Sequence, residues 1–372
     1  MKKVNDAVFI KPSRLPDELN TLTFNRIIHN HKNNIVTALI PDTNILINME
    51  KVIREKHCDE TLEKYGLLNM VNFINEVDRY GLNVTWSPYF SILEMPGKYA
   101  LKSLDRLKVF DKKYWGTRVT DEELKPDNFD SNQQTKNYPC WSDSEQYTHA
   151  VTFCSLLLIQ IIERDMREAS PLEKMRVYLN LVEHKIGPIS GKEFNIALLI
   201  FSPISDTDRE FNDIRQNIVM NFCESSNTNE RYYSPPTSET MISIASNGAR
   251  DIGLLNACNI LDSDKQEDID AWIVTQDFKL AKFCDNFYNV GRRKEAGEAM
   301  LMRDFSYVNE FISKSVNEMH TRTVFRRSLI DHIPKDLSRV VRTAYELIDI
   351  AASGLNSINI PKKGLCPFTF LK

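Results

Sequence analysis

The chain has 372 residues, with 47 basic and 51 acidic side chains and a net charge of -4. Hydrophobic residues at 42% and charged residues at 26% exclude a disordered chain or a collagen-like repeat, and leave ample material for a core. The small net charge does not exclude nucleic-acid binding, because a near-neutral total can conceal a basic face, and the length accommodates two or three domains, or one domain with a large insertion.

The seven cysteines are odd in number, scattered and without a CxxC pair, which argues against a zinc ribbon, a dithiol redox site or a disulfide scaffold. The N-terminal apolar run Ala7–Ile10 is too short for a signal-peptide core. The longest apolar stretch, Cys154 to Ile162, is about half of what a bilayer span requires. The expectation is a cytoplasmic protein with no membrane association.

Residues 1–33 are polar and read as an N-terminal extension. Ile35 to Ile40 is a β-branched apolar run suited to a strand buried on both faces, as in a parallel sheet. It ends at Pro41-Asp42-Thr43-Asn44, a capping sequence ahead of Ile45-Leu46-Ile47. Apolar residues at 67, 70, 71, 73, 74 and 77 have helical spacing. A strand from Leu82 to Trp86 follows, and Pro88 opens a helix that carries Glu94. This strand–helix alternation predicts an α/β fold.

From about 97 to 236 the alternation breaks. A polar stretch over 111–145 precedes helical patterns at 143–168, 171–185, 191–201 and 206–223, and a polar loop over 224–236 ends in two prolines. The region reads as a mostly helical insertion. The alternation then resumes: a helix over 237–261, interrupted by Gly248 and Gly253, a strand over Ala271–Val274, a helix from Phe278 to Phe283, a short strand at 300–302 and a helix over 305–318. The division expected is an extension (1–33), a domain over 34–319 with its insertion, and a basic C-terminal tail over 320–372. That tail holds nine basic and four acidic residues, net +5, which leaves -9 for the remainder.

Two carboxylates follow expected buried strands, Asp42 and Asp277, and the carboxyl ends of parallel strands line the ligand crevice of α/β sheets. Two more, Glu94 and Asp251, occupy otherwise apolar helical stretches, where an unpaired acid is costly. Each has a plainer reading: Asp42 and Asp277 as helix caps, Glu94 as a half-exposed helix acid, Asp251 as a solvated or salt-bridged one. Taken together, four converging carboxylates repel one another unless a hard divalent cation such as Mg²⁺ or Mn²⁺ offsets them.

In this order and context, IVTALIPDTNILI, NVTWSPYFSILEM, ARDIGLLNAC and AWIVTQDF resemble the PIN-domain superfamily of metal-dependent nucleases, chiefly ribonucleases. The resemblance covers a third to a half of the chain, in two blocks. It implies a PIN-like parallel sheet flanked by helices. It also implies a catalytic, metal-binding set of Asp42, Glu94, Asp251 and Asp277, with Asn44 and Thr275 in support. The implied activity is a hydrolase, an endoribonuclease using Mg²⁺ or Mn²⁺ and leaving 5′-phosphate and 3′-hydroxyl ends. The separation of 157 positions from Glu94 to Asp251 far exceeds the spacing in the compact toxin ribonucleases of the superfamily. Asp262, Asp264, Asp268 and Asp270 are alternatives to Asp251.

Arg292-Arg293-Lys294 lies shortly after Asp277 and is the candidate for phosphate contact. Tyr232, Tyr233, Trp115 and Trp141 read either as base-stacking or as packing residues. The partners expected are single-stranded RNA, with DNA as the alternative, and a protein or second copy of the chain. The competing functions are a catalytically silent PIN-like RNA- or protein-binding scaffold and a haloacid-dehalogenase-like phosphatase. The latter wants an aspartate where Asn44 stands.

Overall fold

The computed structural model describes residues 4–55, 58–82, 84–115, 143–187, 190–223, 236–262, 268–291, 300–301, 310–327 and 337–354. They fall into two compact units: residues Met1–Ser142 with Gly253–Leu301, and residues Asp143–Ile252 with Met302–Lys372.

The first unit begins with β1 (Val8–Ile10), β2 (Ser13–Arg14), α1 (Phe24–Lys32), β3 (Val36–Pro41), α2 (Thr43–Arg54), α3 (Asp59–Lys64), α4 (Leu68–Arg79), β4 (Val84–Trp86), α5 (Tyr89–Glu94) and α6 (Gly97–Tyr114). The second unit holds α7 (Asp143–Asp165), α8 (Pro171–Leu181) running into a π-helical turn at Val182–Ile186, α9 (Gly191–Phe201) and α10 (Arg209–Phe222). α11 (Ser238–Asp262) spans the boundary. β5 (Ile269–Thr275), α12 (Phe278–Asn286), β6 (Tyr288–Val290) and β7 (Met300–Leu301) then return to the first unit, and α13 (Glu310–Arg327) and α14 (Leu337–Ser353) to the second.

The main sheet has the order β1-β5-β3-β4. β3 is parallel to both β4 and β5, and β1 closes the edge antiparallel to β5. All seven residues of β5 and the last five of β3 are buried, the burial pattern of central parallel strands covered on both faces. β2, β6 and β7 form a second, three-stranded sheet. The chain is therefore α/β with a small, mainly parallel mixed sheet, as the alternation predicts.

Residues read as an extension are part of this unit. β1 is three residues long, too short to register as a strand from periodicity, yet its pairing with β5 covers that edge. Gly66 shows how closely the segment is held. It has φ +65°, its carbonyl accepts Ala7 N–H at 2.9 Å, and a Cβ there would lie 2.1 Å from the Asn5 carbonyl oxygen.

The helical unit starts later and reaches further than the expected insertion. α6 packs on α2 in the first unit. α7 is buried almost all round over Thr152–Ile162, so it serves as the centre on which α8, α9 and α14 pack. Ser170 and Glu173 close a capping box at the start of α8. Gly248 keeps α11 close to its neighbours, since a Cβ there would lie 2.8 Å from the Phe222 ring and 2.9 Å from Leu156. α14 is a core helix rather than a free basic tail: Val340, Val341, Ala344, Leu347, Ile348 and Ala351 are buried, and Arg322 on α13 is paired with Glu183 and Glu318. Among the described residues no helix is long and apolar enough to cross a membrane.

Candidate functional site

β3 lies between β4 and β5, so the chain leaves it to one side and later returns on the other. Such a reversal opens a crevice at the carboxyl ends of the two strands. Asp42 follows β3 there, and Thr275, Gln276 and Asp277 close β5. The ladder continues one step past the strand, with Asp42 N–H donating to the Val274 carbonyl at 2.8 Å.

Asp42 and Asp277 are both helix N-caps, and capping fixes their orientation. Asp42 Oδ1 accepts from Asn44 N–H at 3.3 Å at the head of α2. Asp277 Oδ1 accepts from Lys279 and Leu280 N–H at 2.7 and 3.1 Å at the head of α12. Thr275, fully buried, joins them: its hydroxyl donates to Asp42 Oδ2 at 2.9 Å and accepts the Asp277 N–H at 2.9 Å. Asn44 is exposed, and its amide donates to the same Asp42 Oδ2 at 3.3 Å. The cap reading and the site reading therefore describe the same geometry.

Asp42 is only 9% exposed, and burial holds its carboxyl above the usual carboxylate range. The hydrogen bonds from Thr275 and Asn44 oppose that shift, and the neighbouring Asp277 adds to it. Among the described residues no Lys or Arg is paired with either carboxylate, and Asp277 Oδ2 takes no hydrogen bond. Glu94 stands one step away. α5 is tied to the end of β3 by Ser91 Oγ–H donating to the Pro41 carbonyl, and Glu94 Oε2 accepts from Thr43 Oγ–H at 3.0 Å. Asp251 lies half-buried on the part of α11 that belongs to the second unit. Among the described residues no group of three or more His, Cys, Asp and Glu side chains is close enough to hold a metal ion. Within the first unit, then, a pair of carboxylates is assembled, with Glu94 linked to it through Thr43.

The alternatives to Asp251 serve elsewhere. Asp262 and Asp270 are buried and meet Lys11, whose ammonium lies 2.6 Å from Asp262 Oδ2 and 3.0 Å from Asp270 Oδ1. Arg26 donates to Asp270 through Nε and Nη2 at 2.9 and 3.1 Å, and Asn30 and the Trp272 indole also donate to it. Burial works against charge here, but Lys11 and Arg26 outweigh it and hold Asp270 far below the ordinary range; the two aspartates in turn raise Lys11. Asp270 is the second residue of β5, so this network sits at the end of the strand opposite Asp277. Asp268 is exposed at that same end, and its carbonyl accepts Val36 N–H. Asp264 lies outside the described residues. Lys11 and Arg26 carry no local sequence signal for this role, being 251 and 244 residues from their partners.

Arg292, Arg293 and Lys294 lie outside the described residues, as do Tyr232, Tyr233 and Trp141. Trp115 is a packing residue, 5.0 Å from the Trp86 ring and 5.3 Å from that of Phe110. His149 is buried, its pKa pushed down to about 3 by burial and by Arg250, which makes it a neutral core residue. Compared with protein-family models, curated proteins and solved structures, the chain matches none of them.

Proposed function

We propose that the chain is a divalent-metal-dependent endoribonuclease of PIN-like type. The observation that carries this reading is the pair Asp42–Asp277 at the carboxyl ends of adjacent parallel strands, with no paired cation among the described residues. The contrast lies within the same sheet: at the opposite end, Asp262 and Asp270 are matched by Lys11 and Arg26. Carboxylates kept together without a protein cation suit an external one, and an all-oxygen donor set suits Mg²⁺ or Mn²⁺.

Asp42 and Asp277 would hold the ion, with Glu94, linked to Asp42 through Thr43, as a further ligand. A bound divalent ion lowers the pKa of an attacking water and offsets charge at the scissile phosphate. Thr275 is a positioning residue, fixing Asp42 through its hydroxyl and Asp277 through the backbone. The Asn44 amide holds the same carboxylate from the exposed side. Water then adds to phosphorus and the P–O3′ bond breaks, leaving 5′-phosphate and 3′-hydroxyl ends on single-stranded RNA. Arg292, Arg293 and Lys294 are proposed as phosphate contacts.

The test compares wild type with Asp42→Asn and Asp277→Asn on single-stranded RNA with Mn²⁺, alongside calorimetric Mn²⁺ titration. Cleavage by wild type and loss in both variants is the expected result. Full activity in both variants sinks the site. RNA binding without Mn²⁺ binding or cleavage assigns the scaffold function instead.

A further inference from the structure

A cavity of about 200 Å³ opens beside the end of β1, lined by Lys11, Arg14, Glu18, Thr21, Arg26 and Trp272. Trp272 stands five residues before Asp277. At strand spacing this is on the order of 15 Å from the carboxylate pair. The three cations on its wall are not equivalent. Lys11 is saturated by Asp262, Asp270 and the Ala271 carbonyl. Arg26 gives three of its N–H groups to Asp270 and Glu18.

Arg14 differs. It is 5% exposed, it stacks on the Tyr288 ring at 3.9 Å, and it donates only to the carbonyls of Lys11 and Asp285, at 2.9 and 3.1 Å. A guanidinium has five N–H donors, so three remain. No carboxylate lies within ion-pair distance of it among the described residues. A buried cation that no carboxylate pairs directly is costly: burial lowers the Arg14 pKa, the more distant Asp285 and Glu18 offset that only in part, and an anion in the cavity would offset more of it. Thr23, the N-cap of the nine-residue α1, lines the same cavity, so the positive end of a helix dipole faces it as well. Among the described residues Glu18 is the one carboxylate on the wall, engaged by Arg26 and by Leu15 N–H. Its charge and the cavity's small volume favour a single terminal phosphate over a continuous polyanion.

We infer that this cavity binds a terminal phosphate group, with Arg14 as its anchor and exposed Thr21 at its mouth. The site is independent of the proposed metal centre. Inorganic phosphate, AMP, and 5′-phosphorylated and 5′-hydroxyl tetranucleotides are titrated calorimetrically into the full chain in EDTA, which keeps metal-dependent phosphate binding out of the measurement. Wild type is expected to bind phosphate saturably. Arg14→Gln should weaken binding about ten-fold, the loss of a charge-assisted hydrogen bond. Thr21→Glu, an exposed change that spares the fold, should abolish it. A preference for the phosphorylated over the hydroxyl oligonucleotide identifies an RNA end as the source; AMP binding as tightly as the oligonucleotide identifies a free nucleotide. Absence of saturable phosphate binding in wild type, or binding unchanged in Thr21→Glu, overturns the inference.

Discussion

The Thr275 hydroxyl donates to Asp42 Oδ2 and accepts the Asp277 N–H, both at 2.9 Å, so one buried side chain sets the spacing of two carboxylates 235 residues apart in sequence. Thr275→Val keeps the shape and removes the hydroxyl, leaving a buried N–H and a buried carboxylate oxygen each short of a partner. The expected cost is about 1–3 kcal/mol in urea denaturation. The proposed cleavage should fall as well, with Thr275→Ser restoring it. Equal activity in the Val variant would remove Thr275 from the site.

Asp42→Asn should leave the metal-free protein as stable as wild type or more so at neutral pH. Asn caps α2 as well as Asp does, and the buried charge is gone. The sign follows from the raised pKa of Asp42, caused first by burial. A carboxyl whose folded pKa lies above its unfolded value favours the fold at low pH, and that contribution is lost as pH rises through the folded value. Thermal melts in EDTA should therefore coincide for the two proteins at acid pH and separate above the ordinary carboxylate range, the variant melting higher. Mn²⁺ should raise only the wild-type midpoint. A variant that melts lower across the whole range would contradict this account.

Lys11→Met should be among the most damaging single changes in the first unit. It removes the cation between Asp262 and Asp270, leaving Asp270 with Arg26 alone and Asp262 with no ion-paired cation among the described residues. Breaking a buried pair of this kind costs about 3–5 kcal/mol. The destabilisation should shrink at acid pH as the stranded carboxyls protonate, which urea titrations at two pH values will read directly.

Gly66→Ala should cost at least about 2 kcal/mol, since it combines a left-handed backbone with a blocked Cβ position. Beside Gly66, Gln276 Nε2 donates to the carbonyls of Asn5 and Tyr65, and Gln276 Oε1 accepts from Asn48. Gln276 precedes Asp277, so the displacement should also lower the proposed cleavage more than Gly81→Ala, where the Cβ meets open space at a similar φ of +66°. Equal loss in the two variants would mean that backbone strain alone acts at Gly66.

What the sequence determined by itself is local and periodic. The β-branched run before Asp42, the apolar run before Thr275 and the helical spacing of the intervening segments specified the central strands, most of the helices and the two carboxylates that cap helices after strands. These signals are legible because burial on both faces, amphipathic period and capping preference each act within a few residues. What only the tertiary structure decided is who neutralises whom. From sequence, Asp42, Asp262, Asp270 and Asp277 are alike as acids near apolar runs. In the folded chain, β1 carries Lys11 onto the amino-terminal half of β5 and α1 brings Arg26 to Asp270, while the carboxyl ends of β3 and β5 receive a threonine and, among the described residues, no paired cation. Charge compensation acts through space at a few ångströms, and chain separations near 250 residues leave no trace of it in local pattern.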